Sequence, residues 1–600
     1  MKKYILPVAL CMLLGFASCD DSLDLNPKDR VSEADYFKTA EDLQLFTNPY
    51  YNNMLDKTPY DEDNDFYVQK TLSAEQRGGN YRTVPESGGG WSWGDLRRIN
   101  SLLARIDRCP DEAAVIKYTA LSRMFRAFFY FEKVKRFGNV PWYDKELGSA
   151  DPDLYKTQDS RELVMSNMLA DIDYAIEFLP DKKDEPEAPY RATKWAALAL
   201  KAQFCLFEGT YRKYHGINLE GHSANDYLQL AADAAKEIIE HGPYKLYSTN
   251  KPDEDYLNMF AAEDANKDEY IMAIRFSFAT KLYHNATAAS LVASQGRPGF
   301  TRKVVNMYLM KDGSRFTDKP GWQEMQFGEE TANRDPRLAQ TVRCPGYHRI
   351  GDTKILAPDF GTCTTGYSPV KFVQNPKDAN GGVDRVETST ADLPVYRLAE
   401  VMLNYAEAKA ELGTLTQDDL DISVNKIRKR AGMPDLNMAV ANANPDWYLS
   451  SPQYGYTNVD GANKGVILEI RRERSVELME EGFRWSDIRR WKAGYCYNQS
   501  IQGMYFPGPG EYDLSGNGKT DIVLYAAGTP KPAAGDGVQV YEIGKGEGRL
   551  ALSDGNKGYV DFHNDQVRPG FNEARDYLYP IPSDEISLNP NLVQNPGWGK

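Results

Sequence analysis

Residues 466–491 read VILEIRRERSVELMEEGFRWSDIRRW. This stretch predicts the central helix of the fold. Its first sixteen residues lack Gly and Pro and are rich in Ile, Leu, Met, Glu and Arg, which favours an α-helix. At about 100° per residue the apolar side chains fall on two sides of that helix, so we expect it to lie between other helices. Arg474 and Glu477 share one apolar side at i,i+3 spacing and are predicted to pair there. Gly482 is predicted to end the helix.

Helical patterns also dominate the chain before residue 245. Predicted helices cover residues 41–55, 95–108, 111–137, 160–178, 193–208 and 224–241. Ser160 is a predicted N-cap, and Gly209, Gly242 and Gly413 are predicted to follow helix C-termini. Gly209 and Gly242 stand 33 residues apart, close to the tetratricopeptide period of about 34 residues, and segments 190–209 and 396–413 resemble each other. The predicted fold class is mainly α, with a tetratricopeptide-like helical-repeat scaffold over about 31–245 and 394–495.

Long irregular loop insertions interrupt this scaffold at about 248–393, 441–464 and 500–569. They are rich in Gly, Pro, Asn, Asp and aromatic residues, and they are too long to be simple connections. We expect the helices to form the scaffold and the insertions to confer binding specificity.

The N-terminus has the pattern of a targeting segment. Lys2 and Lys3 precede an apolar run over 5–16, and Ala17-Ser18-Cys19 forms a small-residue junction, so residues 1–18 are predicted to be a signal peptide. The apolar run is shorter than the roughly 20 residues that span a bilayer. A Cys at the junction is typical of a lipoprotein signal, in which Cys19 is lipidated; an ordinary signal peptide with an incidental Cys19 is the alternative. The rest, 19–600, is predicted to be one domain held to a membrane only by its lipid.

Composition narrows the classes of partner. The formal net charge of −15 argues against nucleic acid or an anionic membrane surface. Aromatic residues make up 12% of the chain, and many Tyr residues lie in the loops, where amphipathic rings suit the binding of sugars or peptides. The cysteines beyond Cys19 show no disulfide framework and no metal spacing, although Cys344 and Cys363 could pair.

No catalytic or metal centre is predicted, and no cofactor. Asp61, Asp63 and Asp65 alternate as in a calcium-binding loop, but Phe66 and Leu72 replace the Gly and Glu that such a loop requires. A structural calcium ion bound by some other loop arrangement is the alternative that stays open. The sequence Gly-Trp-Ser-Trp-Gly at 90–94 matches a nucleophile elbow but follows a Gly-rich run rather than a strand. Its Ser92 is predicted instead to cap the next helix together with Asp95.

Three separated blocks carry a family resemblance. The run EIRRER at 469–474 with the following Glu-Leu, Gly-Phe-Arg and Arg-Trp positions resembles the signature of the SusD/RagB family, outer-membrane nutrient-binding lipoproteins of starch-utilisation systems. Residues 394–413 (PVYRLAEVMLNYAEAKAELG) and 577–598 (YLYPIPSDEISLNPNLVQNPGW) resemble the same family. The resemblance implies a non-catalytic surface lipoprotein that captures a glycan and passes it to a SusC-like TonB-dependent outer-membrane transporter. Capture of peptides, a surface glycoside hydrolase and a pure adaptor are the alternatives.

Ligand contacts are expected from aromatic residues on loops near helix starts. The resemblance implies that rings from these regions stack on sugars while polar neighbours take the hydroxyls. The candidates are Trp91, Tyr283, Phe300, Arg302 and Trp322. Trp91 ranks above Trp93, which is expected to dock its helix, and Arg302 is a candidate for binding an acidic group.

Overall fold

The computed structural model describes residues 36–56, 58 and 64–599. The α-helices are α1 Ala40–Asn53, α2 Ala74–Arg77, α3 Gly94–Leu103, α4 Glu112–Phe137, α5 Arg161–Phe178, α6 Lys194–His215, α7 Ala224–His241, α8 Asp255–Phe260, α9 Ala286–Leu291, α10 Arg302–Val305, α11 Phe327–Thr331, α12 Leu398–Leu412, α13 Gln417–Asp421, α14 Val424–Arg430, α15 Met438–Ala443, α16 Trp447–Ser450, α17 Lys464–Glu477, α18 Arg484–Arg490 and α19 Ser583–Leu588. The strands are β1 Tyr67–Val68, β2 Tyr270–Ile274, β3 Gly299–Phe300, β4 Leu393–Arg397, β5 Tyr505–Phe506, β6 Gly510–Tyr512, β7 Ile522–Tyr525, β8 Gln539–Ile543, β9 Arg549–Leu550 and β10 Gly558–Tyr559.

The long helices form a continuous packed layer. α4 packs on α5, α5 on α6, α6 on α7, α7 on α12, and α12 on α17. Each helix predicted before residue 245 is present, and Ser160 caps α5 by accepting a hydrogen bond from the backbone N–H of Leu163 at 3.2 Å. The mainly α class is therefore confirmed, whereas the tetratricopeptide-like repeat stays a prediction.

Gly209 does not end a helix, contrary to the prediction. It lies inside α6, which continues to His215 and ends at Gly216 with φ +66°. A Cβ added at Gly209 would lie 2.7 Å from Cγ of Leu228 and 2.9 Å from the carbonyl oxygen of Ala224. The missing side chain lets α6 and α7 approach closely. Gly242 follows the C-terminus of α7 as predicted, so only one of the two glycines marks a helix end.

The central stretch lies among other helices, as predicted. α17 packs against α12, α15 and α16, and Val466, Leu468 and Ile470 are fully buried. The helix ends at Glu477, several residues earlier than Gly482 predicts. Gly482, with φ +83°, lies in the turn that leads to α18.

The predicted pairing of Arg474 with Glu477 is wrong. Arg474 Nε donates instead to Asp487 Oδ2 at 2.7 Å, which ties α17 to α18. Glu477 faces three guanidiniums from distant parts of the chain, those of Arg337, Arg397 and Arg430. Burial raises the pKa of Glu477, but the three guanidiniums outweigh it and hold the pKa well below its usual range.

The loop-rich half contains small sheets between its irregular segments. β1 pairs with β3, β2 with β4, and β5 with β10, all antiparallel. β6, β7, β8 and β9 form a four-stranded sheet in which only the β6–β7 pair is antiparallel. The insertion predicted over 500–569 is therefore partly a mixed sheet.

The C-terminal segment packs against residues near the start of the chain and at the end of α4. Arg82 Nη1 donates to the carbonyl oxygen of Asp576 at 2.6 Å, and the same nitrogen lies 3.4 Å from the buried Asp576 carboxylate. Asn595 Nδ2 donates to the carbonyl oxygen of Phe137 at the end of α4. Segments almost 500 residues apart thus share one interior.

Several predictions concern residues at the limits of the described ranges. Cys19 and the segment 1–18 lie outside them, as do Asp61 and Asp63. The carboxylate of Asp65 pairs with Arg484 and Lys303. Cys344 and Cys363 are buried free thiols, so they do not pair with each other. Within the described part, no helix has the length and apolar character to cross a bilayer, and no three His, Cys, Asp or Glu side chains are grouped to hold a metal ion.

Candidate functional site

A cluster of aromatic rings lies where three loop-rich segments meet. Trp322 packs against Trp447, Tyr448 and Tyr454, with ring centroids 6.2, 5.8 and 6.1 Å away. Tyr448 and Tyr454 are stacked at 4.6 Å and nearly parallel. Tyr559 joins them through Arg302, whose guanidinium carbon lies 4.8 Å from the Tyr559 ring centroid. We call Trp322, Trp447, Tyr448, Tyr454 and Tyr559 the aromatic platform.

The platform has an inner and an outer layer. Trp322 and Tyr448 are 5% and 1% exposed, whereas Trp447 is 44% exposed. Tyr454 and Tyr559 are partly exposed members of the same cluster. The exposed indole and the partly exposed phenols offer flat apolar faces with polar edges to a ligand.

The central stretch of sequence positions the outer layer. Trp447 and Tyr448 open the short helix α16, and Asp446 caps it by accepting a hydrogen bond from the backbone N–H of Leu449 at 2.9 Å. The buried carboxylate of Asp446 also contacts the guanidinium of Arg472 in α17. Because α17 is buried and packed on several sides, this ion pair ties the exposed Trp447 to the core of the scaffold.

Trp322 is held from below. It follows Gly321, whose φ of +73° suits a residue without a side chain, and Arg302 Nη2 donates to the Trp322 carbonyl oxygen at 3.0 Å. Arg302 pairs with the buried Glu330 at 3.1 Å, and Tyr367 Oη donates to Glu330 at 2.7 Å. Burial lowers the pKa of Arg302, but Glu330 and the neighbouring tyrosines together outweigh it and the pKa is raised, so Arg302 stays charged as a buried support.

Polar groups border the exposed rings. Trp447 Nε1 donates to Oδ1 of the exposed Asp318 at 2.8 Å. Burial raises the pKa values of the Tyr454 and Tyr559 phenols, so both stay protonated and can donate as well as accept hydrogen bonds. Exposed Glu324 lies 4.0 Å from Lys557 at another edge. The arrangement suits a ligand that combines flat apolar faces with many hydroxyls.

The five predicted residues fall in four places, of which the Trp93 groove described below holds Trp91. Arg302 and Trp322 meet at the platform, Arg302 as a buried support and not as a surface cation. Phe300, in β3, has no exposed surface and packs on Tyr67 at 5.8 Å, so it supports the fold. Tyr283 is partly exposed and packs on Phe278 at 5.1 Å after β2. A ligand contact by Tyr283 stays a prediction.

Trp91 lies at a second concave surface. It is 5% exposed and packs on Phe137, whereas Trp93 is the more exposed of the two, opposite to their predicted ranking. Ser92 does not cap α3, whose N-cap residue is Trp93 without a side-chain hydrogen bond. Trp91 and Trp93 line a groove of about 510 Å³ with Tyr143, Tyr155 and Leu588. We call it the Trp93 groove; a ligand contact by Trp91 stays a prediction.

Sequence reasoning missed the exposed members of the platform. They are Trp447, Tyr454 and Tyr559, which lie in the insertions at 441–464 and 500–569. These insertions were predicted to confer specificity, but the predicted ligand contacts include no residue from either of them. The sequence Asn-Pro-Asp-Trp-Tyr at 444–448 held a usable signal, because Asp before two aromatic residues is a capping position that fixes them on a short helix.

Comparison with known proteins gives the family. A family model described as "SusD family" matches residues 260–598, more than half of the chain. The chain belongs to the SusD family. A second model, described as "Starch-binding associating with outer membrane", matches residues 34–191. All five residues of the aromatic platform lie within the first match.

Named relatives carry the same family name, and one of them matches over the full length. The chain is 23% identical to SusD-like protein P2 of Formosa agariphila, with 100% of each chain covered. It is 26% identical to the starch-binding protein SusD of Bacteroides thetaiotaomicron, over 56% of this chain and 62% of that one. The crystal structure of a SusD-like carbohydrate binding protein from Bacteroides fragilis matches with a TM-score of 0.67 at 20% identity, covering 93% of this chain and 99% of the other. The SusD-like fold is thereby confirmed.

Proposed function

We propose that this SusD-family chain is a non-catalytic glycan-binding lipoprotein that captures an oligosaccharide at the aromatic platform. The exposed indole of Trp447, in a ring cluster that also holds the partly exposed Tyr454 and Tyr559, is the observation that carries the proposal. A sugar ring stacks its C–H face on such rings, while its hydroxyls bond to the phenols and to Asp318. The names of the second family model and of the B. thetaiotaomicron relative support a glycan of the starch type as the first ligand to test.

The chemistry around the platform supports binding without turnover. Glycoside hydrolysis uses two carboxyl groups with different tasks about 5–10 Å apart. Glu330, the carboxylate beneath the platform, is neutralised by Arg302 and bonded by Tyr367, which commits it to structure. Asp318 holds the Trp447 indole. Glu330 and Asp318 therefore have positioning roles, as does Asp446 through its contact with Arg472, which leaves Glu324 as the exposed carboxylate at the platform edge.

The proposed setting is the outer membrane, with the lipid on Cys19 as the anchor and the platform facing the cell exterior. The captured glycan passes to a SusC-like TonB-dependent transporter, which the protein caps like a lid. Family membership and the lipoprotein signal support this setting. Co-purification of a barrel protein with the detergent-extracted chain tests the partnership, and a Cys19→Ser variant that leaves the membrane fraction tests the anchor.

The binding experiment compares three variants of the full-length chain in detergent by isothermal titration with maltoheptaose and with a glycan array. Trp447→Ala removes the exposed ring and is expected to weaken binding about fivefold, because one stacking contact contributes roughly 1 kcal/mol. Phe178→Ala removes a ring of similar exposure on α5, packed on Tyr174 at 4.5 Å, and is expected to have no effect.

Trp93→Ala distinguishes the platform from the Trp93 groove. Loss of binding in Trp93→Ala with full binding in Trp447→Ala would move the glycan site to the groove. Binding of peptides but of no glycan would favour the peptide-capturing alternative. Release of new reducing ends from the bound oligosaccharide at enzymatic rates would overturn the non-catalytic proposal.

A further inference from the structure

A large cavity lies inside the helical layer, apart from the aromatic platform. Its volume is about 660 Å³, and residues of α4, α6, β4 and α18 and of the turn after α17 line it. This volume lies within the range of small-molecule sites, which is about 300–1,000 Å³. Aromatic rings and charged side chains of both signs share its walls.

Three cations on its walls have no carboxylate partner. Lys133 Nζ donates to the carbonyl oxygen of Gly90 at 2.5 Å, and Arg136 Nε to that of Gly89 at 2.8 Å. Arg489 Nη1 donates to the carbonyl oxygen of Lys135 at 2.6 Å. Among the described residues, no carboxylate forms an ion pair with Lys133, Arg136 or Arg489.

The carboxylates that share the walls are mostly engaged elsewhere. Glu132 pairs with Lys135 at 2.5 Å, Asp487 with Arg474 at 2.7 Å, and Glu481 with Lys371 at 2.6 Å. Asp56 and Glu480 also line the cavity. The Glu132 carboxylate acts on Lys133 and Arg489, but burial and Arg136 outweigh it, so the three cations still place net positive charge on one part of the wall.

Burying these like charges together is energetically unfavourable, because each cation is partly desolvated and repelled by its neighbours. Burial and the neighbouring Arg136 lower the pKa of Lys133 to about 8. Burial and the same Arg136 also lower the pKa of Arg489. Arg489 is only 5% exposed, and its Nε has no hydrogen-bond partner among the described residues. A buried, unpaired guanidinium N–H is disfavoured unless something that enters the cavity accepts from it.

The absence of a side chain at Gly90 makes room for the guanidinium of Arg136. Gly90 has φ +87°, and a Cβ there would lie 2.7 Å from Arg136 Nε. Arg136 stacks on the Tyr579 ring at 3.8 Å, and Arg489 lies 6.0 Å from the same ring centroid. Tyr579 thus holds two guanidiniums near each other despite their repulsion.

We propose that this cavity is a second ligand site that binds the oxyanion group of a small acidic ligand, a carboxylate, sulfate or phosphate, through Arg489, Arg136 and Lys133. An oxyanion accepts from the orphaned Nε of Arg489 and relieves the repulsion among the three cations. The cavity holds a group of monosaccharide size. The proposal is independent of glycan capture at the platform.

The test is isothermal titration of the full-length chain in detergent with sodium glucuronate, sodium sulfate and sodium phosphate at constant ionic strength. Saturable binding of at least one of the three is expected, and Arg489→Gln is expected to lower its affinity at least tenfold. Binding of glucuronate alone identifies an acidic sugar as the ligand class, and binding of sulfate or phosphate identifies a free inorganic anion. Failure of all three to bind would overturn the proposal.

Two further variants keep the result interpretable. Arg97→Gln removes an exposed guanidinium on α3 and is expected to leave anion binding unchanged; an equal loss would show a non-specific charge effect and reject the site. If Arg489→Gln does not fold, as judged by circular dichroism, Lys133→Gln replaces it with the same expectation. Loss of glucuronate binding in Trp447→Ala would assign the anion to the platform and reject the cavity, whereas a glycan-binding failure alone leaves the cavity result standing.

Discussion

The indole Nε1 of Trp447 donates a 2.8 Å hydrogen bond to Oδ1 of Asp318, and this bond fixes the most exposed large ring of the platform. Asp318→Ala removes the acceptor and frees the indole to rotate. Both side chains are exposed, so we expect no change in unfolding temperature but a two- to fivefold loss of oligosaccharide affinity, equivalent to about 0.5–1 kcal/mol. Isothermal titration measures it.

Asp318→Asn is the matched control for this bond. Its amide oxygen can accept from the indole in the same place, so affinity is expected to stay within twofold of the unchanged protein. An equal loss in Asp318→Asn and Asp318→Ala would mean that the carboxylate charge, rather than the position of Trp447, matters for binding.

Glu477→Gln is expected to destabilise the protein severely. Its carboxylate neutralises the buried guanidiniums of Arg337, Arg397 and Arg430, and removing the charge leaves them uncompensated. Losses of about 3–5 kcal/mol in the free energy of unfolding are typical when one partner of a buried ion pair is removed. Urea unfolding followed by circular dichroism measures the shift.

The control for Glu477 is an exposed ion pair. Glu240→Gln breaks the i,i+4 contact with Lys236 at 3.6 Å on the surface of α7, where roughly 0.5 kcal/mol or less is expected. If Glu477→Gln were as mild as Glu240→Gln, the buried network would not be a main source of stability.

Glu400 is expected to make stability fall as pH rises. Burial raises the pKa of this α12 carboxyl to about 7, while in the unfolded chain it stays near 4.5. Between these values the folded state holds the proton more tightly, so raising pH through this window costs stability. Glu400→Gln cannot titrate and keeps an amide oxygen for the hydrogen bonds from Gln203 and Asn404. We expect a gain on the order of 2 kcal/mol at pH 8 and little change at pH 5.

Thermal unfolding from pH 5 to pH 8 tests this expectation. The difference in unfolding temperature between Glu400→Gln and the unchanged protein should grow from pH 5 to pH 8. Parallel profiles over that range would show that Glu400 does not titrate there.

Gly209→Ala is expected to destabilise the protein although Ala favours helix. The gain in helix propensity is about 1 kcal/mol, but the new Cβ would lie 2.7 Å from Leu228 Cγ and 2.9 Å from the Ala224 carbonyl oxygen, which α6 and α7 can relieve only by moving apart. A net loss of about 1–3 kcal/mol follows. Gly94→Ala, at the start of α3 with nothing within 4 Å of the added atom, should be neutral or stabilising in the same urea titration.

The sequence was a good guide to the helices and a poor guide to which buried charges meet. Apolar periodicity and caps set the helix limits locally, so α4, α5 and α7 match their predictions within a residue or two. Arg474 and Glu477 are neighbours on one helix, yet each binds a partner elsewhere in the fold. Such pairings depend on how distant segments pack, which spacing along one helix does not reveal.

Only part of the candidate site could be predicted from the sequence, because its residues also come from distant segments. Trp322 and Arg302 were predicted as an aromatic and a polar residue of one insertion, where they lie 20 positions apart. Trp447 and Tyr559 come from two other insertions, and only the tertiary fold brings them to Trp322. The sequence also did not reveal which side chains are exposed. Trp91 and Trp93 are the same residue type, and they differ in burial because of their neighbours in the fold.

The contact between Arg82 and Asp576 sets a condition on when the protein can finish folding. The two residues are separated by 494 positions, and a ribosome adds about 5–20 residues per second. The segment that covers the N-terminal helices is therefore synthesised tens of seconds after them. We expect the chain to reach its native state only after this last segment has been made.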